Sequence, residues 1–175
     1  MDMGTVKARG LVLLGCGKMG SAMLEGWLKQ GLPVASVWVI EPHPSDWVRG
    51  TGVHLNASLP ASPAVVLIAV KPQMMGAALP SIAAMGGGAT LFLSVAAGTT
   101  IASYEGVLGA ESPVIRAMPN TPAAIGRGIT AITGNTQPMR QVVIEFVAAE
   151  RPQPILKRNA LAQLPHRLLR QFIVE

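Results

Sequence analysis

Five short aliphatic runs recur along the chain: Leu11 to Leu14, Val37 to Ile40, Val65 to Ala69, Leu91 to Val95, and Val114 to Ile115. Each is apolar almost without interruption instead of alternating with polar residues. A strand that is apolar on both faces needs cover on both, which is the condition of a parallel sheet between helical layers. The intervening segments supply that cover. Met19 to Gln30 places Met19, Met23, Trp27 and with them Leu24 on one face, and Gly31 and Pro33 end the segment. Gln73 to Met85 and Thr100 to Leu108 read as two further helices, the second opened by Thr99 or Thr100 and closed near Gly109. Strands alternating with helices predict an α/β fold, a doubly wound and mostly parallel sheet with right-handed crossovers.

Composition bounds the rest. A chain of 175 residues that is 50% hydrophobic and 13% charged is one globular domain with an appendage, apolar enough over most of its length to offset its ordering entropy. Cys16 is the single cysteine, so no disulfide framework exists and the cytoplasm is the expected compartment. The net charge of +5 invites a nucleic-acid partner. Its distribution argues against one, because residues 1–136 hold eight Lys and Arg against six Asp and Glu, while residues 137–175 hold six against three, and no basic run occurs. The uncharged stretch from Pro72 to Tyr104 is broken by Pro80, by Gly86, Gly87 and Gly88, and by Thr99 and Thr100, so a membrane span is not expected. Leu11 to Leu14 is too short for a secretory core.

The first apolar run leads into Gly15-Cys16-Gly17-Lys18-Met19-Gly20, the G-x-G-x-x-G spacing, and a helix follows. In that context Gly15 allows the tight turn, Gly17 lets the backbone approach a pyrophosphate, and Gly20 lets helix and strand pack closely. The helix N-terminus then offers free N–H groups and a positive dipole end to the anion. This makes the domain Rossmann-type and the cofactor NADP or NAD; the bland alternative is a glycine-rich turn that binds nothing. Glu41 closes the second run 21 residues after Gly20. There it can accept hydrogen bonds from ribose hydroxyls and repel a 2′-phosphate, a slight lean to NAD, or stand in solvent as a strand-end carboxylate. His43 is a loop residue able to hold a phosphate when protonated. Cys16 lacks any sign of an activating base and reads as packing. No cluster has metal-ligand spacing, since His43, His54 and His166 are scattered, and no G-x-S-x-G supports a hydrolase.

Three later segments narrow the reading. Ala69-Val70-Lys71-Pro72, Ser94-Val95-Ala96-Ala97-Gly98 and Arg116-Ala117-Met118-Pro119-Asn120-Thr121-Pro122 each follow a strand, with Asn56 thirteen residues before Ala69. From about Leu11 to Thr136 the chain resembles the N-terminal domain of pyrroline-5-carboxylate reductase. The resemblance implies hydride transfer from NAD(P)H to the C=N carbon of 1-pyrroline-5-carboxylate, a small-molecule substrate, giving L-proline. It also implies that Gly15 to Gly20, namely Gly15, Cys16, Gly17, Lys18, Met19 and Gly20, hold the pyrophosphate. Glu41 to Ser45, including His43, would meet the adenosine ribose. Asn56 and Ala69, Val70, Lys71 and Pro72 would line the ribose and central portion, and Val95, Ala96, Ala97 and Asn120 would approach the nicotinamide end. Lys71 before its proline and Asn120 flanked by Pro119 and Pro122 leave rigid backbone, or serve only as strand-end and turn residues. No catalytic acid or nucleophile is named.

The chain also departs from that family. Members that take NADP commonly carry a small hydroxyl residue where His43 stands, and the Glu41 position is often uncharged. After Thr136 the family's helical, dimer-forming domain is not recognisable, so the homo-oligomer expected of the family has lost its expected basis. Residues 137–175 lack Gly, Ser, Thr and Asp and hold five of the seven glutamines. The expected organisation is therefore a dinucleotide-binding domain over residues 8–136 and an atypical tail over 137–175, helical or disordered. The tail is either frame-shifted or an amphipathic segment whose Leu161, Leu164, Leu168 and Leu169 share a face. Two functions compete: a reductase, and a truncated dinucleotide-binding module that turns nothing over.

Overall fold

The structure is a computed structural model and describes residues 3–119, 130–135 and 155–157. Strand β1 (Leu11–Leu14) pairs in parallel with β2 (Val37–Ile40) on one side and with β4 (Val65–Ile68) on the other. From this centre the sheet extends through β3 (His54–Leu55) beyond β2, and through β5 (Leu91–Ser94), β6 (Val114–Pro119), β7 (Thr130–Gly134) and β8 (Ile155–Lys157) beyond β4. The order is β3-β2-β1-β4-β5-β6-β7-β8, parallel throughout except for the β6–β7 pair. The sequence reading of a doubly wound Rossmann-type sheet is what the chain adopts. The strand order reverses direction between β1 and β4, and the crevice at such a switch point is where open α/β sheets bind ligands.

Two apolar layers cover the sheet. On one face helix α2 (Lys18–Lys29) packs Met23, Leu24 and Trp27 against Leu11, Leu13, Val39 and Leu67. Helix α1 (Met3–Arg9) lies in the same layer through Val6, which is 1% exposed. Helix α1 begins ahead of residue 8 and packs on the same layer. Ser36 donates its hydroxyl to the carbonyl of Lys7 at 2.8 Å, and the Arg9 guanidinium donates to the carbonyls of Ser62, Pro63 and Ala89 at 2.9–3.3 Å. On the other face Met75 of α4 (Met75–Ala78), then Leu79, Ile82 and Met85, and Tyr104 and Leu108 of α5 (Ile101–Leu108) cover Val12, Ile68, Phe92 and Val114. The short helix α3 (Asp46–Gly50) is capped by the Ser45 hydroxyl, which accepts from the Val48 N–H.

Several elements differ from their sequence expectation for local reasons. In α2 the buried face is Gly20, Met23, Leu24 and Trp27, spaced i, i+3, i+4, i+7, while Met19 is 46% exposed. Bringing bare Gly20 inward turns its neighbour Met19 out. The helix ends as read, with Gly31 at φ +85 and Leu32 donating back to Trp27. The helix expected over Gln73 to Met85 is a four-residue α-helical turn between two 3₁₀ segments, Pro72–Met74 and Leu79–Met85. Pro80 has no N–H and its ring opposes the carbonyl four residues back, so the tighter i+3 winding takes over. Helix α5 follows its reading, with Thr100 accepting from the Ser103 N–H and Gly109 at φ +90.

Strand β6 continues four residues past Ile115 because β7 lies antiparallel beside it and pairs Arg116 with Thr133 and Pro119 with Thr130. Arg116 to Pro119 therefore lie within a strand and not in the loop after one. Asn135 ties this corner together, donating to Ser112 and Glu105 and accepting from the Val114 N–H. In the tail, expected to be helical or disordered, residues 155–157 are a strand that pairs in parallel with β7.

Trp27 is fully buried in the α2 layer. Trp27→Ala is expected to lower the unfolding free energy by about 3–5 kcal/mol, read from the shift in urea midpoint. A loss below about 1 kcal/mol would contradict the packing of α2 on the sheet.

Candidate functional site

The three glycines of the turn after β1 have three different physical reasons to be glycine. Gly15 sits at φ +89, where L side chains are strained, and a Cβ there would stand 2.9 Å from the carbonyl oxygen of Ala69. Its N–H donates to Ile40 at 2.9 Å, which ties the end of β1 to the end of β2. A Cβ on Gly20 would stand 2.6 Å from the Gly15 carbonyl oxygen, so α2 can start this close to the turn only with glycine there. A Cβ on Gly17 would meet nothing within 4 Å. Its backbone is ordinary, at φ −71, so neither packing nor conformation demands a glycine at this position. What it leaves is an open approach to the backbone at the very start of a helix.

Gly17 is the N-cap of α2, and no side chain caps that end. The first N–H groups of a helix have no partner within it, and here they face the exposed segment Gly17, Lys18 and Met19. The aligned peptide dipoles add positive potential at the same place. Both features favour negative charge at this helix start.

Beside it stands the carboxylate of Glu41. Oε2 accepts the Cys16 N–H at 2.8 Å and Oε1 accepts the His43 N–H at 3.0 Å. Glu41 is thus no free strand-end carboxylate; it is latched onto the glycine turn. A carboxylate offers about four lone-pair sites, so positions remain for two ribose hydroxyls. His43 contributes its backbone to this arrangement. Asn56, at φ +50, accepts the Glu41 N–H through Oδ1 at 2.9 Å and donates from Nδ2 to the Glu41 carbonyl at 3.0 Å. The Asn56 side chain is exposed, and each amide atom, with one bond to the Glu41 backbone, keeps a second hydrogen or lone pair.

Cys16 is buried, and burial first and the Glu41 carboxylate second push its thiol from the ordinary 9.0 up to about 11. At neutral pH it is a protonated packing group, as its sequence context suggests. Among the described residues no group of three or more His, Cys, Asp or Glu is placed to hold a metal ion. No helix among them is long and apolar enough to cross a membrane.

The remaining candidates lie at the carboxyl ends of β4 and β5, which pair Ile68 with Ser94. Ala69 and Val70 pack on opposite layers of the core, and Lys71 and Pro72 are exposed. Ala96 is buried, with Val95 and Ala97 partly so. The bend they form is held by Ser94, whose hydroxyl accepts the Ala96 N–H at 3.1 Å and lies 2.6 Å from the Tyr104 hydroxyl. Tyr104 escaped the sequence reading; its signal is that the chain's one tyrosine falls on an otherwise apolar helix face. Asn120 lies outside the described residues. A cavity of about 280 Å³ opens between Met75, Leu79, Gly98 and Val107, on the α4–α5 side, and touches none of the candidate residues.

Comparison with known proteins agrees with this fold. The family model described as NADP oxidoreductase coenzyme F420-dependent matches residues 10–98, just over half the chain. A pyrroline-5-carboxylate reductase of Pseudomonas aeruginosa is 34% identical over 133 residues, covering 73% of this chain and 49% of that protein. One from Escherichia coli is 35% identical over 133 residues, covering 70% and 48%. The chain spans about half the length of the curated relatives it matches. In fold it is similar to the pyrroline carboxylate reductase of Plasmodium falciparum solved with NADP bound, at TM-score 0.72 and 22% identity over 90% of this chain and 60% of that one. The chain belongs to the NADP oxidoreductase, coenzyme F420-dependent family, and its matched part is similar to part of the pyrroline-5-carboxylate reductases.

Proposed function

We propose that the glycine turn binds the pyrophosphate of NAD(P)H and that the chain serves a reductase of the pyrroline-5-carboxylate type. The observation that carries this reading is Gly17, where a Cβ would meet nothing within 4 Å, next to an uncapped helix start. The N–H groups of Lys18, Met19 and Gly20 would hold the phosphates, and Glu41 the adenosine ribose. Ala69 to Pro72 and Val95 to Ala97, at the ends of adjacent strands, would flank the central portion and the nicotinamide end. Asn120 is proposed there on sequence alone. The bound dinucleotide would supply a hydride to the C=N carbon of protonated 1-pyrroline-5-carboxylate, giving L-proline and the oxidised dinucleotide. The chain's own contribution is positioning, the main requirement of such a transfer. A second reading is a dinucleotide-binding module that turns nothing over. NADH titration together with pyrroline-5-carboxylate-dependent NADH oxidation separates the two: binding without oxidation selects the module.

Glycine replacements separate ligand binding from folding within one motif. Gly17→Ala is expected to change unfolding free energy by less than about 1 kcal/mol, yet to weaken dinucleotide binding by at least about tenfold, since the methyl would stand where the pyrophosphate approaches. Gly20→Ala is expected to destabilise the fold by about 1–3 kcal/mol through the clash with Gly15. Urea unfolding and fluorescence titration read both effects. A Gly17→Ala chain that binds like the unaltered one would overturn the assignment.

Glu41 supports a preference for NADH, because a 2′-phosphate would bring negative charge against a carboxylate already oriented by two N–H donors. Glu41→Ala is expected to weaken NADH binding by about tenfold and to narrow the gap between the two cofactors. Tighter binding of NADPH than of NADH by the unaltered chain would refute this preference.

A further inference from the structure

We propose that Tyr104 is a positioning residue for the nicotinamide end of the dinucleotide, acting through Ser94 on the bend at Val95 to Ala97. The inference rests on the dinucleotide reading of the glycine turn and goes beyond it to a side chain with no surface to offer a ligand.

Its ground is a closed link across the connection from β5 to α5. Ser94 ends β5, and its hydroxyl accepts the Ala96 N–H at 3.1 Å. The chain then passes through Gly98 at φ +71 to Thr100, the N-cap of α5. Tyr104 lies on the first turn of that helix, where side chains lean toward the N-terminus. Its hydroxyl is thereby carried back over the end of β5, to 2.6 Å from the Ser94 hydroxyl ten residues earlier in the chain. Both residues are 0% exposed. Neither hydroxyl meets solvent, and a buried hydroxyl left without a partner is costly, so each holds the other in place. The layer that Tyr104 joins is built from side chains such as Ile68, Phe92, Leu108 and Val114, against which a phenylalanine would pack equally well. What the tyrosine adds is the direction of Ser94 Oγ. With Tyr104 engaged on one side, Oγ keeps a lone pair on the Ala96 N–H. That bond seats buried Ala96 and with it the partly buried Val95 and Ala97, which are proposed to flank the nicotinamide end.

The test uses the full chain and two ligands, NADH and ADP-ribose, the second being the dinucleotide without its nicotinamide ring. Calorimetric titration gives both dissociation constants. Tyr104→Phe deletes the hydroxyl and keeps the ring. It is expected to weaken NADH by about fivefold and ADP-ribose by less than about twofold. Ser94→Ala is expected to show the same split, and it serves in place of Tyr104→Phe if that variant does not fold. In a Ser94→Ala background, Tyr104→Phe is expected to change neither constant further. Unchanged NADH binding, equal losses for the two ligands, or losses that add in the double variant would each overturn the proposal. A second readout needs no ligand: hydrogen exchange at the Ala96 amide is expected to accelerate in Tyr104→Phe, and unchanged exchange also overturns the proposal. If the unaltered chain binds neither ligand, the dinucleotide reading fails and this role falls with it, while the Ala96 exchange still decides whether Tyr104 holds the bend.

Discussion

The contact between Gly20 and the carbonyl oxygen of Gly15 sets where helix α2 begins, since a Cβ on Gly20 would stand 2.6 Å from that oxygen. Because the helix starts so close to the end of β1, its free N–H groups open over the carboxyl edge of the sheet instead of beyond it. The same approach orients the buried face of α2, with Met23, Leu24 and Trp27 following Gly20 inward and Met19 left outside. One steric condition at the turn therefore fixes both the packing of the first layer and the direction in which the free N–H groups of the helix start face.

A second set of bonds holds the turn from the side. The end of β2 reaches it twice, through the Ile40 carbonyl to the Gly15 N–H and through the Glu41 carboxylate to the Cys16 N–H. Glu41 in turn is gripped by Asn56 from the end of β3. The outermost strand, only two residues long, thus contributes through the residue that follows it. Farther along the edge, Ser94 and Tyr104 fix the bend at Val95 to Ala97 with a buried pair of hydroxyls. The carboxyl edge is held by short polar links between strand ends, while the apolar layers beneath it set the strand positions. Links of this kind hold the strand ends in place relative to one another.

Much of this was legible in the sequence, and the misses have a common cause. Nearly continuous apolar runs revealed β1, β2, β4 and β5, because strands covered on both faces are apolar almost throughout. The glycine spacing revealed the turn, since each glycine answers a local steric demand. The two-residue β3 carries too few residues for a pattern, and β6 was cut short at Ile115 because the charged Arg116 ended its apolar run. Only its pairing with β7, a long-range contact, extends it. Helix α1 was missed because a seven-residue amphipathic segment is not stable alone and forms by docking Val6. In the site, Glu41 was found by its distance from Gly20, whereas its latch to Cys16 and the engagement of the Asn56 amide depend on side-chain geometry that spacing does not encode.

Dinucleotide binding at the glycine turn is tested most directly by a two-dimensional amide NMR titration of the full chain with NADH. Saturable shifts are expected at the amides of Gly15, Cys16, Gly17, Lys18, Met19 and Gly20 and at Glu41. Absence of shifts at saturating NADH, or shifts confined to the cavity between Met75, Leu79, Gly98 and Val107, would contradict it.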